Sequence, residues 1–210
     1  MEAMNEMPAK LLARAARKSA KRDEKKRQIA DSAIEALKEL GYANTSLRDI
    51  AEKSDLSLGM LHYYFEDRTD LIIFCVQVYK EDFVRDITAA LEQASGRDQV
   101  IAAFSEALTA AIVDDAMTHK LWYDIRSQAM FDTAFRPVVA EIEARLIGIV
   151  ASALAKAGHD SGQDRGRVAL SYALLDGAFR YLMQSRIAAA TPEPRETLAA
   201  TFRELLETFL

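Results

Sequence analysis

The sequence predicts an all-α fold, and three observations carry that reading. Only four prolines occur in 210 residues, Pro8, Pro137, Pro192 and Pro194, so Ala9 to Arg136 contains none, and glycine numbers only eight. Such scarcity of breakers, beside abundant Ala, Leu, Glu, Lys and Arg, favours long helices. Even the one strand-like run, Leu71 to Tyr79, keeps apolar residues at three-and-four spacing through Leu71, Phe74, Cys75 and Val78 and on to Ile87 and Leu91. Finally, Asn44 to Phe65 reads as two short helices joined by a tight turn. Half of the residues are hydrophobic, enough for the core of one large or two small domains.

A first helix is expected from about Arg22 to Leu40, with Ile29, Ala33, Ile34, Leu37 and Leu40 as its inner stripe and Gly41 as a stop signal. Ser46 followed by Asp49 resembles a capping box, with Asp in the place of Glu or Gln, and opens a second helix at Leu47. Leu47, Ile50 and Ala51 share one face of it. Asp55-Leu56-Ser57 breaks the pattern, because Asp tolerates a left-handed backbone and the Ser57 hydroxyl can cap the next helix. In that third helix Leu61 and Phe65 point inward, which leaves Leu58, Gly59, Met60, His62 and Tyr63 outward. This is the helix-turn-helix pattern, whose second helix lies in a DNA major groove.

A long fourth helix follows, from Asp67 or Thr69 to Ala94, with first-turn donors suited to facing phosphate. Ser95-Gly96-Arg97-Asp98 breaks the chain before a helix carrying Val100, Phe104, Leu108, Ala111 and Ile112. Asp114-Asp115 restarts it towards Leu121, Trp122, Ile125 and Ala129. Phe131-Asp132-Thr133 turns into a helix with Val138, Ile142, Leu146, Ile149 and Leu154, where Pro137 fits only near the first turn. Gly158 to Gly162 is read as a polar loop containing His159. Val168 to Ala190 is apolar almost all round and needs cover on every side, and a last helix from about Pro194 to Leu210 repeats Leu198, Phe202, Leu205 and Phe209.

Ile29-Ala30 through Leu37, Gly41-Tyr42, Thr45-Ser46, Asp49-Ile50-Ala51, Leu61, Tyr63-Tyr64-Phe65 and Leu71 together resemble the N-terminal domain of tetracycline-repressor-like (TetR) regulators, over roughly residues 25 to 75. His62 stands where the family usually has Tyr and Arg68 where it usually has Lys, and both keep hydrogen-bonding capacity. The resemblance implies a basic arm over 1–21, a three-helix DNA-binding domain over 22–68 and a larger helical ligand-binding and dimerisation domain over 69–210. It further implies a cytoplasmic homodimeric repressor of transcription that binds a palindromic double-stranded operator and is released by a small-molecule effector. DNA contacts are expected from Thr45, Ser46, Ser57, Gly59, Met60, His62, Tyr63, Tyr64 and Arg68. In the family the next helices surround a cavity, which places Phe74, Phe104, Leu108, Trp122, Tyr123, Arg126, Met130 and Phe131 as candidate lining, with Arg126 available to an anionic ligand. The last two helices pair with their copies, which makes Leu170, Leu174, Ala178, Tyr181, Leu198, Phe202, Leu205 and Phe209 the candidate dimer interface, burial inside one protomer being the alternative.

The formal charge of −5 is unevenly spread. Lys10 to Arg27 holds nine basic residues against Asp23 and Glu24, while Gln28 to Asp70 holds four basic and nine acidic ones, so the helix-turn-helix borrows its positive field from the preceding segment. The single cysteine, Cys75, excludes an internal disulfide and reads as a small buried hydrophobe. No membrane-spanning run or secretory signal is expected. No zinc-protease, serine-hydrolase or phosphate-loop motif occurs among these residues, and Asp115 with His119 is too small a set for a metal, so neither enzyme activity, cofactor nor metal is expected. A helical small-molecule-binding or catalytic protein that keeps the fold without specific operator binding is the alternative, favoured by the acidic 28–70 segment and His62.

Overall fold

The computed structural model describes residues 9–159 and 165–210. Its order is α1 (Ala9–Leu40), α2 (Leu47–Lys53), α3 (Leu58–Tyr64), α4 (Arg68–Glu92), α5 (Arg97–Gln128), a 3-10 turn (Thr133–Phe135), α6 (Arg136–Lys156), α7 (Arg165–Ala188) and α8 (Arg195–Glu207), with no strand among the described residues. The fold is therefore all-α. The chain divides into two compact units, one ending at Cys75 and the other Val76–Leu210. The division falls seven residues beyond the expected boundary at 68/69 and lies inside α4.

In the first unit α1 is a single helix that begins at Ala9, so from that residue the basic segment continues the first helix; residues 1–8 of the expected arm lie outside the described residues. The high helix propensity of Ala, Lys and Arg explains the continuity. Ile29, Ala30, Ala33, Ile34 and Leu37 are buried, whereas Leu40 is exposed. Gly41 adopts φ +79° and donates its N–H to the Leu37 carbonyl at 2.9 Å, the left-handed cap that favours glycine. Cys75 is buried with its thiol towards the Ala30 carbonyl at 3.7 Å, and burial pushes that thiol's pKa up.

In the second unit α8 packs on α5, and α7 on α5 and α6. Their shared core includes Ile87, Phe104, Leu108, Val150, Leu154, Phe179, Met183, Leu198, Phe202 and Leu206. α5 is one helix with a kink at Asp115, where φ −133° and ψ 25° leave helical space, so the expected restart appears as a bend within the element. Pro137 occupies the first turn of α6, where its missing N–H has no intrahelical partner to lose. The expected loop at 158–162 falls mostly on residues 160–164, outside the described set. No helix among the described residues is long and apolar enough to cross a membrane.

Candidate nucleic-acid interface and ligand cavity

The helix-turn-helix is built from local hydrogen bonds. The Ser46 backbone N–H donates to Asp49 Oδ2 at 2.7 Å and the Asp49 N–H donates to Ser46 Oγ at 3.3 Å, a complete capping box. The side-chain and backbone hydrogen bonds from Ser46 hold the Asp49 carboxyl below the usual range. Asp55 takes φ +53°, and the Leu56 N–H closes the turn on the Ala51 carbonyl at 2.9 Å. Ser57 then caps α3 by accepting from the Met60 N–H at 3.2 Å. With Ile50, Ala51, Leu61 and Phe65 buried, α3 can present only its other side.

That other side carries Leu58, Gly59, Met60, His62 and Tyr63, all exposed, Tyr63 by 61%. A methyl group added at Gly59 would meet nothing within 4 Å, so packing inside the fold does not require the glycine. Tyr64 is half-buried and meets Tyr63 edge-on at 5.0 Å. Two basic residues of α1 reach this region: the Arg22 guanidinium lies 5.9 Å from the Tyr63 ring centroid, and Lys26 lies 4.6 Å from those of both Phe65 and Phe74.

Two residues expected at DNA, Thr45 and Arg68, have internal employment. Thr45 is buried, its hydroxyl donating to the Gly41 carbonyl at 2.8 Å. Arg68 turns inward: Nε donates to the Thr45 carbonyl at 2.7 Å, Nη2 to the Tyr42 carbonyl, and the guanidinium lies 4.5 Å from the Tyr42 ring centroid. The first turn of α4 is partly answered from within, because the Asp70 N–H donates to Asp67 Oδ1 at 2.8 Å. Arg68 is thus a brace on the 42–45 loop rather than a free cation. Arg68→Ala is expected to weaken DNA binding together with a lower melting temperature, while Tyr63→Ala weakens it about tenfold with melting unchanged, on the order of one base-directed contact. Intact melting in Arg68→Ala with lost affinity would put the guanidinium on DNA instead.

The second unit contains a cavity of about 50 Å³, or about 460 Å³ with the open crevices between its side chains included. Of the candidate lining, Phe104, Leu108, Trp122 and Tyr123 face it, joined by Lys80, Phe83, Tyr172 and Asp176, among others. The other candidates lie elsewhere. Phe74 packs on Phe65 with ring centroids 5.6 Å apart in the first unit, and Met130 and Phe131 are exposed by 67% and 82%. Arg126 is held in ion pairs, Nη1 with Asp176 Oδ2 at 2.6 Å and Nε with Glu143 Oε1 at 2.7 Å. Tyr123 donates its hydroxyl to Asp176 Oδ1 at 3.1 Å, and burial first, then Asp176, pushes its pKa up.

Of the cavity residues outside the candidate set, Lys80 is the one that carries a positive charge. It is 3% exposed and lies 4.6 Å from the Phe83 ring centroid and 5.0 Å from those of Tyr79 and Trp122. Burial pulls its pKa down to about 7. The signal was its place on the inner stripe of α4, four residues after Val76 and seven before Ile87, where a lysine is out of pattern. Beyond it a more acidic cavity of about 340 Å³ is lined by Tyr79, His119, Asp86, Asp114 and Asp115, among others. His119 is buried against Phe83 and Phe179 rather than solvated, and burial, then Lys80, holds its pKa well below the usual value. No group of three or more potential metal ligands gathers among the described residues.

An all-α chain whose N-terminal unit presents an exposed recognition helix on a capped helix-turn-helix frame is a DNA-binding regulator by class. Over residues 29–73 the chain matches the family model described as "Bacterial regulatory proteins, tetR family". It is similar to the HTH-type transcriptional regulator PksA of Bacillus subtilis, 24% identical over 77% of this chain and 80% of that protein. Similarity to the regulator BetI of Agrobacterium fabrum, 28% identical, spans only 38% of each chain. Among solved structures, the regulator FadR of Bacillus subtilis in complex with stearoyl-CoA shares the fold with a TM-score of 0.69, 18% identity and coverage of 87% of this chain and 98% of that one.

Proposed function

We propose that the chain is a ligand-responsive repressor of transcription, not an enzyme, acting in the cytoplasm as a homodimer on a palindromic operator. The observation that carries the reading is the α3 face of Gly59, Met60, His62 and Tyr63, exposed on a frame whose own polar groups are capped from within. Groups that specify sequence must be free to reach base edges, and these are. Ser46, Ser57 and Tyr64 stand beside this face and would position the backbone of DNA.

The effector part rests on the mostly apolar cavity of the second unit and on the bound stearoyl-CoA named for a protein of the same fold. α4 carries Leu71 and Ile72 in its buried early turns and Lys80 at the cavity, so a ligand that engages Lys80 acts on a helix shared with the DNA-binding unit.

The dimer part rests on α7. Leu170, Leu174 and Tyr181 form an exposed apolar stripe at helical spacing, with Ala178 half-buried beside them. Gly177 lies on that side, exposed, with nothing within 4 Å of an added methyl. Glycine there weakens the helix by about 1 kcal/mol relative to alanine without any gain inside the protomer, which a close helix from a second copy would supply.

The test is a titration of the purified protein against DNA upstream of its own gene at several salt concentrations, with random DNA as competitor. Specific binding that weakens steeply with salt is expected. Binding blind to sequence on every fragment would leave the chain a ligand-binding protein on a regulator's fold.

A further inference from the structure

The polar groups around the second unit's cavity are unequally satisfied. Its one carboxylate, Asp176, has both oxygens engaged, Oδ2 by Arg126 at 2.6 Å and Oδ1 by Tyr123 at 3.1 Å. The donors are the opposite case. Lys80 has no carboxylate within ion-pair distance among the described residues, and its only close partners are the rings of Tyr79, Phe83 and Trp122. Trp122 Nε1 and the Tyr172 hydroxyl are buried and have no hydrogen-bond partner. A buried donor left unmade is costly, and a buried ammonium more so. Three such groups lining one small space call for an acceptor that the protein does not provide.

The rest of the lining limits what can carry that acceptor. Phe83, Phe104, Leu108, Ile149, Leu175 and Phe179 are apolar, so the remainder of a ligand must be apolar too. A cation would meet Lys80 with no free carboxylate to receive it, because Asp176 is already taken. A dianion would bring a second charge with no second free cation among the lining residues. The narrow part of this space, about 50 Å³, holds about four waters at roughly 10–15 Å³ each, so the group that reaches Lys80 must be compact.

We infer that this cavity selects a small organic carboxylate with a compact apolar body, its carboxylate seated on Lys80 and accepting from Trp122 Nε1, with Tyr172 a further donor along the wall. The inference rests on the effector reading of the same cavity and deepens it: the ligand enters as a monoanion and supplies Lys80 with a counter-charge in direct contact, nearer than Asp176. Arg126 is not the anion's partner, being committed to Asp176 and Glu143.

The experiment is calorimetric titration of the full chain with benzoate, cyclohexanecarboxylate and hexanoate, set against benzamide and benzylammonium. At least one of the acids is expected to bind at least tenfold more tightly than the amide and the ammonium. Lys80→Met should weaken that acid by about 10- to 100-fold, the range of a charge-assisted hydrogen bond, while moving benzamide by less than threefold, and Lys80→Arg should retain part of the preference. Acids that bind no better than the amide, acids indifferent to Lys80→Met, or no binding by any of the three overturns the inference. Operator binding measured on the same samples separates the two readings. An acid bound through Lys80 that leaves DNA affinity unchanged removes the effector role and keeps the inference. DNA released by a neutral or cationic ligand, with no acid bound, does the reverse.

Discussion

Lys80→Met is expected to stabilise the folded chain at pH 7 by on the order of 2–4 kcal/mol, an unusual sign for a substitution in a buried site. The lysine is 3% exposed and its pKa falls from 10.5 to about 7, the loss of hydration outweighing the attraction of Asp176. Methionine keeps the length and the apolar stem but brings no charge, so the desolvation penalty disappears while most of the packing remains. The pH dependence separates this cause from packing. Below about pH 7 the lysine is protonated in both folded and unfolded chains, and the penalty is present in full. Between about 7 and 10.5 the unfolded chain binds more protons than the folded one, so wild-type stability rises with pH. Urea midpoints of the two proteins should therefore differ most at pH 6 and nearly converge by pH 10. A difference that stays constant across that range would assign the effect to packing alone. A group that destabilises its own fold is retained where something else uses it, which is the thermodynamic side of the case for an anionic ligand.

What could be read from the sequence was what local chemistry decides. The capping box at Ser46 and Asp49, the left-handed Asp55, the glycine stop at Gly41 and the inward pair Leu61 and Phe65 depend on neighbours within a few residues, and each stands where the spacing put it. The long-range partners were not legible. Arg68 meets the Thr45 and Tyr42 carbonyls across more than twenty residues, and Arg126 meets Asp176 across fifty, so motif position alone suggested phosphate and ligand for side chains that the fold had already employed. Met130 and Phe131 are exposed because they lie in the turn after α5, where helical periodicity no longer fixes a direction. Lys80 was legible in principle, as a charge on an apolar stripe, but stripes are read by their apolar members.

The two long apolar stripes at the C-terminus show the same limit, and Phe202→Ala against Leu174→Glu makes it measurable. Both residues were candidates for the dimer interface, with the same helical spacing. In the structure Phe202 is fully buried, beside Phe179 at 6.2 Å between ring centroids, because α8 lies along α5 and leaves Leu198, Phe202 and Leu206 no other direction. Leu198 and Phe209 are likewise buried in the protomer, and Leu205 is partly buried against its core. Phe202→Ala is expected to lower stability by about 3–5 kcal/mol, the range for emptying a large core site. Leu174 projects from α7 into solvent, so Leu174→Glu should leave the protomer's stability within about 0.5 kcal/mol. It should nevertheless break self-association, because two carboxylates would face each other across a symmetric contact. Denaturation midpoints with sedimentation of each variant decide the matter. If Phe202→Ala dissociates the protein at unchanged midpoint, α8 opens to form the interface. If Leu174→Glu still sediments as a dimer, the α7 stripe serves another partner. Periodicity states that a face must be covered; only the position of α5 says which of the two faces the protomer covers for itself.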